Sequence, residues 1–230
     1  MHEALHDLPS EWAQHLEGSY APVAVLRRWS TEPRDPPGEQ RSKSWADPQV
    51  RPMLQPRVYP FLFLDNGARK LVRSEHDNTR VVRWVLRERG ITLAGPEPHT
   101  LVDPVPAAEL RAEVWSVMQT LSQGVLAEPN QLDVAWVQAF FVLLYARMLG
   151  ALRTGEVLSK PAAVTFVEQA FDDKASALVE RAWAFRRGTP RGRDAPALNQ
   201  AARADPLEVE ATLEFIAFAI EEGRRLVERG

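Results

Sequence analysis

Residues 80–106, RVVRWVLRERGITLAGPEPHTLVDPVP, constrain the fold of this 230-residue chain more than any other stretch. They read as a helix, a glycine stop, a short apolar run and a loop dense in proline. The sequence before them is irregular, whereas the apolar residues after them recur with the 3.6-residue period of helices. We therefore expect a mainly α protein, in which a small α+β region precedes a C-terminal helical bundle.

This stretch also makes specific local predictions. Asn78 is expected to cap the helix, and Gly90 to end it in the left-handed conformation that glycine adopts at little cost. Ile91, Leu93 and Ala94 are predicted to form a short buried segment before the proline loop, whose backbone is restricted. Apolar residues at helical spacing predict the buried side of the helix: Val81, Val82, Val85 and Leu86.

The composition narrows the class of protein. An apolar content of 45% with 26% charged residues is typical of a globular chain, and the length suits one large or two small domains. A net charge of −3 gives no reason to expect a nucleic-acid partner. There is no cysteine, no uninterrupted apolar run of the ~18 residues that span a membrane, and no signal-peptide pattern at the first residues. These features predict a cytoplasmic protein without a membrane partner.

The first predicted domain, residues 1–77, mixes short strands with a long loop. Residues 30–58 are rich in proline and charge and have no periodicity, which indicates a loop. Residues 59–64, YPFLFL, are predicted to form a strand, and the Asp-Asn-Gly sequence that follows is a strong turn signal. Residues 70–73 are the predicted returning strand.

The second predicted domain, residues 78–230, is helical. Helices are expected over residues 106–121, 132–153, 160–171, 174–187 and 208–229, and the second of these should be central because it is the most apolar. Gly124 and Pro129 are expected to break the chain after the first helix. Gly155 is expected to end the central helix in the left-handed conformation, and Ser159 to cap the next one.

Three clusters of polar residues have ordinary structural explanations. His2-Glu3-Ala4-Leu5-His6 matches the zinc-protease pattern H-E-x-x-H, but it lies where a terminal helix frays, so no metal is expected. Glu75, His76 and Asp77 are neighbours on an extended chain and cannot all converge on a metal, so they read as a polar lead-in to the helix. A cluster of four arginines is interpreted as part of a solvated surface: Arg186, Arg187, Arg191 and Arg193.

A family resemblance adds to this interpretation. Residues 87–110, RERGITLAGPEPHTLVDPVPAAEL, resemble the junction that leads into the C-terminal helical domain of bacterial aminoglycoside nucleotidyltransferases of the streptomycin/spectinomycin adenylyltransferase type. Residues 147–166, RMLGALRTGEVLSKPAAVTF, and residues 16–22, LEGSYAP, are similar to two further segments of that family. The resemblance implies a whole helical domain preceded by the end of a nucleotidyltransferase domain.

The resemblance also implies candidate functional residues. Glu17 corresponds to the carboxylate that acts as general base on the antibiotic hydroxyl, and Lys160 to a lysine that reaches the nucleotide. Asp133 and Trp136 fall in the region that contacts the antibiotic. Glu17 and Lys160 are accordingly expected to face a common groove.

Transfer of AMP from ATP also needs magnesium, which that family holds with an Asp-x-Asp pair in its catalytic lobe. This sequence contains no Asp-x-Asp and looks as if it begins after that lobe. The chain is therefore expected to be inactive alone, without a cofactor, and to use ATP and magnesium only if the lobe is supplied. Its expected partner is an aminoglycoside-like small molecule or such a lobe. The alternative is a non-catalytic helical module for binding or interaction, which could partner a separate nucleotidyltransferase.

Overall fold

The computed structural model describes residues 7–10, 13, 16–29, 61–66, 68–189 and 202–229. The expected fold class is confirmed, since the structure is mostly helical with a small three-stranded sheet. By Cα packing the chain forms two compact units, Met1–Val105 with Arg191–Asp194 and Pro106–Pro190 with Ala195–Gly230. The boundary predicted at residues 77 and 78 concerned the domains of the resembled family and stays a prediction.

The sheet of the first unit consists of β1 (Gly18–Tyr20), β2 (Phe61–Leu64) and β3 (Val72–Ser74). The strands are antiparallel in the order β1-β2-β3. The strand predicted from YPFLFL is present in the described residues 61–64, and its returning strand begins at Val72, two residues later than expected. Gly18 pairs regularly with Leu64, so the bend that a strand glycine can indicate does not occur there.

Three helices complete the described part of this unit: α1 (Val23–Leu26), α2 (Arg80–Arg89) and α3 (Pro98–Leu101). The cap of α2 is Thr79 and not Asn78, because the Thr79 hydroxyl accepts the Val82 N–H at 3.0 Å. The Asn78 side chain instead accepts a hydrogen bond from Arg83 at 2.8 Å. The expected cap was therefore wrong by one residue.

The buried side of α2 also differs from the prediction. Its buried residues are Arg83 and Trp84, whereas the predicted apolar stripe is only partly covered and Val85 is exposed. The Arg83 guanidinium donates to the carbonyls of Leu26, Val25 and Thr79 at 2.9–3.0 Å. A charged group can be buried when its donors are satisfied, as they are here. Through these hydrogen bonds the arginine joins α2 to the end of α1.

The segment after α2 corrects two further predictions. Gly90 has φ −64° and ψ 141°, so it is extended and not left-handed. A Cβ atom there would meet the Leu86 carbonyl oxygen and lie 2.9 Å from Pro98 Cγ, which explains a glycine by close approach. Ile91 and Leu93 are 85% and 94% exposed, and Ala94 is exposed too, so the expected buried segment lies at the surface.

The second unit contains the long helices. They are α4 (Ala107–Ala127), α5 (Ala135–Thr154), α6 (Lys160–Ala170), α7 (Asp173–Gly188) and α8 (Pro206–Arg229), and a 3-10 turn, Pro129–Asp133, precedes α5. All five predicted helices are present. The break expected at Gly124 is wrong, because α4 continues through that glycine and ends only before Pro129.

The central position of α5 is confirmed, since it packs against α4, α6, α7 and α8. Its buried polar groups are paired within the bundle: Tyr145 Oη lies 2.8 Å from Ser122 Oγ, and Gln138 Nε2 donates to Thr212 Oγ1 at 2.6 Å. Among the described residues, α5 is the one helix long and apolar enough to cross a membrane, but 67% of that window is buried inside the bundle, as in the core helix of a globular domain.

The predicted ends of α5 and α6 are confirmed. Gly155 has φ 75° and ψ 17° and closes α5 through its N–H to the Ala151 carbonyl. Ser159 caps α6 by accepting the Ala162 N–H at 3.3 Å. The predictions on residues 2–6, residues 30–58, Arg191 and Arg193 lie outside the described residues.

Candidate functional site

The residues around Glu17 share one face of the sheet. Glu17 directly precedes β1, and side chains two residues apart in an extended chain point to the same side, so Glu17 lies on the face of Ser19. Ser19 is the cross-strand partner of Phe63, and Asp65 follows Phe63 by two residues. Glu17, Ser19, Phe63 and Asp65 therefore form two neighbouring rows. We call this the Glu17 face.

The chain after β3 folds over the Glu17 face. The Ser74 hydroxyl accepts the His76 N–H at 3.0 Å, which turns the chain at the end of the strand. The His76 ring then stacks on Phe63, with a centroid distance of 4.6 Å and an interplanar angle of 27°. Ser19 Oγ donates to Asp77 Oδ2 at 2.7 Å, and Asp77 Oδ1 lies 3.8 Å from His76 Nε2.

Glu17 has a perturbed acidity in this setting. Loss of solvation raises the pKa of its carboxyl group, His76 lowers it, and Asp65 and Asp77 raise it further. The side chain nevertheless remains exposed to solvent. A carboxylate that is accessible and more basic than usual can accept a proton from a bound hydroxyl group, which is the chemistry of a general base.

The described residues do not fit a metal ion. No group of three or more His, Cys, Asp or Glu side chains among them is arranged to hold one. Although Glu75, His76 and Asp77 are consecutive, the last two are directed into the ring stack and the serine hydrogen bond of the Glu17 face. No step of the chemistry is therefore assigned to a metal held by the described residues.

Lys160 is the first residue of α6 and is partly buried. Arg147 Nε donates to the Leu158 carbonyl of the preceding loop at 2.7 Å, and Arg111 Nε donates to the Leu152 carbonyl in the last turn of α5 at 2.9 Å. Burial lowers the pKa of the Arg147 guanidinium. The Ala162 and Ala163 N–H groups of the first turn of α6 are bonded to Ser159, so Lys160 would attract a phosphate group through the charge of its side chain.

Asp133 and Trp136 lie where the 3-10 turn passes into α5. The Asp133 carbonyl accepts the Ala204 N–H at 2.7 Å, and its side chain is exposed. The Trp136 ring stacks on Phe140 at a centroid distance of 5.7 Å, and the Arg186 guanidinium carbon lies 4.8 Å from the Trp136 ring centroid. One cation of the protein therefore already lies over the predicted substrate-binding tryptophan.

The candidate residues form separate groups. Glu17 belongs to the first unit, and Lys160, Asp133 and Trp136 belong to the second. Within the second unit, Trp136 is in the first turn of α5, whereas Lys160 follows the loop held by Arg147 near its other end. Trp136 and Arg147 are separated by more than ten residues of α5, roughly 15–20 Å along the helix axis. The expected groove shared by Glu17 and Lys160 stays a prediction.

Sequence reasoning missed the partners of these residues. His76 and Asp77 were judged as one linear trio, so their contacts with two different strands were not considered. The available signal was the two-residue alternation of Glu17 and Ser19 beside a predicted hairpin. Arg186 was assigned to a solvated face, and no pattern in the sequence indicates that it meets Trp136.

Comparison with known proteins gives a match that covers most of the second unit and the few residues before it. Residues 100–205 match the family model for the C-terminal domain of aminoglycoside adenylyltransferases. The resemblance is therefore confirmed at that level for this part of the chain, which includes α4 to α7 with Lys160, Asp133 and Trp136. Neither the curated proteins nor the solved structures include a significant match to the chain.

Proposed function

We propose that the chain serves the transfer of AMP from ATP to a hydroxyl group of an aminoglycoside-type antibiotic. The observation that carries this proposal is the match of residues 100–205 to the C-terminal domain of aminoglycoside adenylyltransferases. The reaction would confer antibiotic resistance on a bacterium, and a cytoplasmic location, where ATP is available, belongs to the same proposal.

Glu17 is the proposed general base. In the transfer, the antibiotic oxygen forms a bond to the α-phosphorus of ATP, the bond from that phosphorus to the β-phosphate bridging oxygen breaks, and pyrophosphate leaves. The hydroxyl proton passes to the Glu17 carboxylate. The accessibility of Glu17 and the raised pKa of its carboxyl group support this role, because a base acts best when its pKa approaches the working pH.

The second unit contributes the proposed binding residues. Lys160 contacts a phosphate group of the nucleotide through its side-chain ammonium group, near the positive end of the α6 dipole. Asp133 and Trp136 bind the antibiotic, since carboxylates and aromatic faces attract ammonium groups. Magnesium and the remaining phosphate contacts come from a lobe with an Asp-x-Asp pair, because no such pair occurs in this sequence.

The experiment measures pyrophosphate release by the full chain with ATP, magnesium and streptomycin or spectinomycin. The chain alone is expected to give no release above the blank, and addition of an Asp-x-Asp nucleotidyltransferase lobe, fused or separate, is expected to restore it. Glu17→Gln should abolish the restored activity, whereas Glu97→Gln, on another acidic residue of the first unit, should not. Restored turnover that tolerates Glu17→Gln contradicts the assignment of the base.

A second candidate is a non-catalytic helical module that binds another protein. The specific observation in its favour is the pair Ile91 and Leu93, which are 85% and 94% exposed between α2 and α3. Large apolar side chains exposed close together can contribute to an apolar patch, and such patches mark interaction sites. Under this alternative, Ile91→Ser with Leu93→Ser abolishes binding of a nucleotidyltransferase partner, measured by calorimetry, while Glu17→Gln leaves it unchanged.

A further inference from the structure

We propose that Asp77 is a positioning residue, which fixes the direction of the Glu17 carboxylate by holding the strand that follows it through the Ser19 hydroxyl. This inference deepens the proposed function and rests on it only in giving Glu17 the role of base. The contact that carries it is the 2.7 Å hydrogen bond from Ser19 Oγ to Asp77 Oδ2, which joins residues 58 positions apart. The bond lies within the first unit and can be tested without catalysis.

The strand that follows Glu17 is short and lies at the edge of the sheet. β1 has three residues, Gly18–Tyr20, and in the described sheet it pairs with β2 alone. Short segments with few backbone partners are among the first parts of a fold to open. The Glu17 side chain is exposed, so its direction depends on the course of this strand and not on packing. A contact that fixes β1 therefore fixes Glu17 as well.

The alternation of the strand places this contact on the side of the base. Side chains two residues apart in an extended chain point to the same side, so Ser19 lies on the Glu17 face. The Ser19 side chain is partly buried, and a buried hydroxyl group costs free energy unless it is hydrogen-bonded. Asp77 supplies the acceptor, so the bond holds β1 in addition to its backbone pairing with β2.

The acceptor is itself held by a fixed turn. The Asn78 N–H donates to the Glu75 carbonyl at 2.9 Å, which closes a turn around Asp77. Arg83, which is only 1% exposed, donates to Asn78 Oδ1 at 2.8 Å and anchors this turn. Asp77 is thus tied to the buried part of the first unit, and its bond to Ser19 extends that constraint to the edge strand.

The test measures backbone order by ¹⁵N relaxation of the Glu17 and Ser19 amides in the full chain. Ser19→Ala and Asp77→Ala each remove the bond and should lower both order parameters to values typical of flexible backbone, below about 0.6. Ser19→Thr keeps a donor and Asp77→Asn keeps an acceptor, so both should retain the wild-type order. Thr92→Ala is the matched control, because it removes a 2.9 Å bond from a hydroxyl to the Glu97 carboxylate elsewhere in the first unit. It should leave the order of both amides unchanged.

Activity gives a second measurement once a lobe with an Asp-x-Asp pair is supplied. The two alanine variants should lower kcat roughly 10–100-fold and leave the KM for ATP unchanged, because a misplaced base affects the chemical step. The double variant should be no worse than either single variant, since both substitutions remove the same bond. Recovery in Ser19→Thr and Asp77→Asn separates the loss of this bond from a general loss of folding.

Three results would overturn the proposal: both alanine variants keep the order of the Glu17 amide, Asp77→Asn loosens it as much as Asp77→Ala, or kcat is unchanged although the order is lost. If Asp77→Ala does not fold, Ser19→Ala decides, because it leaves the backbone pairing of β1 intact. Failure of the proposed function looks different. Turnover that survives Glu17→Gln refutes the role of Glu17 as base, while the order parameters still decide whether Asp77 holds the strand.

Discussion

Arg83 Nη2 donates a 2.9 Å hydrogen bond to the carbonyl oxygen of Val25, a residue 58 positions earlier in the chain. The same guanidinium binds the Leu26 and Thr79 carbonyls and the Asn78 side chain, and the residue is only 1% exposed. A buried cation held by several neutral acceptors is a strong constraint, because removing it takes a donor from each of them, although the Thr79 carbonyl keeps the Arg83 backbone N–H. This side chain therefore joins α1 to α2.

Arg83→Met should destabilise the first unit by about 3 kcal/mol, because the buried carbonyls lose their donors while the apolar stem is kept. The measurement is native-state hydrogen exchange of the α2 amides, which reports the stability of this unit separately from the bundle. Arg89→Met is the matched control on the same helix. Its guanidinium lies over the Trp84 ring at 5.6 Å but the side chain is exposed, so the loss should stay below about 1 kcal/mol.

Tyr145 makes the bundle sensitive to high pH. Burial raises the pKa of its hydroxyl to about 12, although the hydrogen bond with Ser122 lowers it in part. The unfolded chain releases this proton near pH 10 and the folded chain does not, so stability is full below pH 10 and is lost towards pH 12. The loss across this window should be roughly 3 kcal/mol, since one pKa unit corresponds to about 1.4 kcal/mol.

Tyr145→Phe should remove that part of the pH dependence. It should also cost about 1 kcal/mol at neutral pH, because Ser122 loses one partner but keeps its bond to the Met118 carbonyl. Urea unfolding at neutral and alkaline pH measures both effects. Tyr20→Phe, on a tyrosine that is 46% exposed, is the control and should keep the alkaline loss. An equal alkaline loss in Tyr145→Phe would refute the assignment.

Two glycines should respond to alanine in opposite ways. Gly90→Ala places a methyl group against the Leu86 carbonyl and Pro98, so it should destabilise by about 1–3 kcal/mol. Gly124→Ala meets no atom within 4 Å in the last turn of α4 and should stabilise by about 0.5–1 kcal/mol. Denaturant unfolding of both variants checks the pair. If Gly90→Ala is neutral, its role in close packing is wrong.

Arg186 should oppose the binding of a polycation at Trp136. Its guanidinium occupies the aromatic ring and repels ammonium groups, so Arg186→Gln should strengthen aminoglycoside binding several-fold, the equivalent of about 0.5–1 kcal/mol. Calorimetry of streptomycin binding measures the change. Arg187→Gln makes the same change of charge next to Trp183 and is the control. If streptomycin binding is unchanged both in Arg186→Gln and in Trp136→Ala, Trp136 does not belong to the proposed site.

The fold could be predicted from the sequence where a local signal coincides with the end of a helical period. Gly155 ends α5 in the left-handed conformation as expected, and Ser159 caps α6, because a glycine directly after an apolar period and a serine directly before the next one are the common residues at helix ends. Gly90 misled for the opposite reason, since a glycine can also serve close approach without a positive φ. Asn78 and Thr79 are both good caps, and only the actual hydrogen bonds choose between them.

The features of the fold and of the candidate site that could not be predicted depend on contacts between residues distant in sequence. Arg83 is buried because its guanidinium binds carbonyls of α1, and the spacing of residues within α2 carries no information about those partners. The Glu17 face requires both the strand register and the turn at Ser74 that brings His76 back to Phe63. For the same reason the sequence could suggest Glu17, but not the neighbours that set its acidity.

The packing of α8 against α5 has a consequence for synthesis of the chain. Thr212, Phe215 and Ile216, which are at most 4% exposed, belong to a helix that is translated well after α5. At ~5–20 residues per second, the ribosome needs several seconds to go from one helix to the other. During that interval the most apolar helix of the bundle lacks one of its covers and Gln138 lacks its threonine partner. The nascent chain is thus exposed to aggregation, and to capture by chaperones, in this interval.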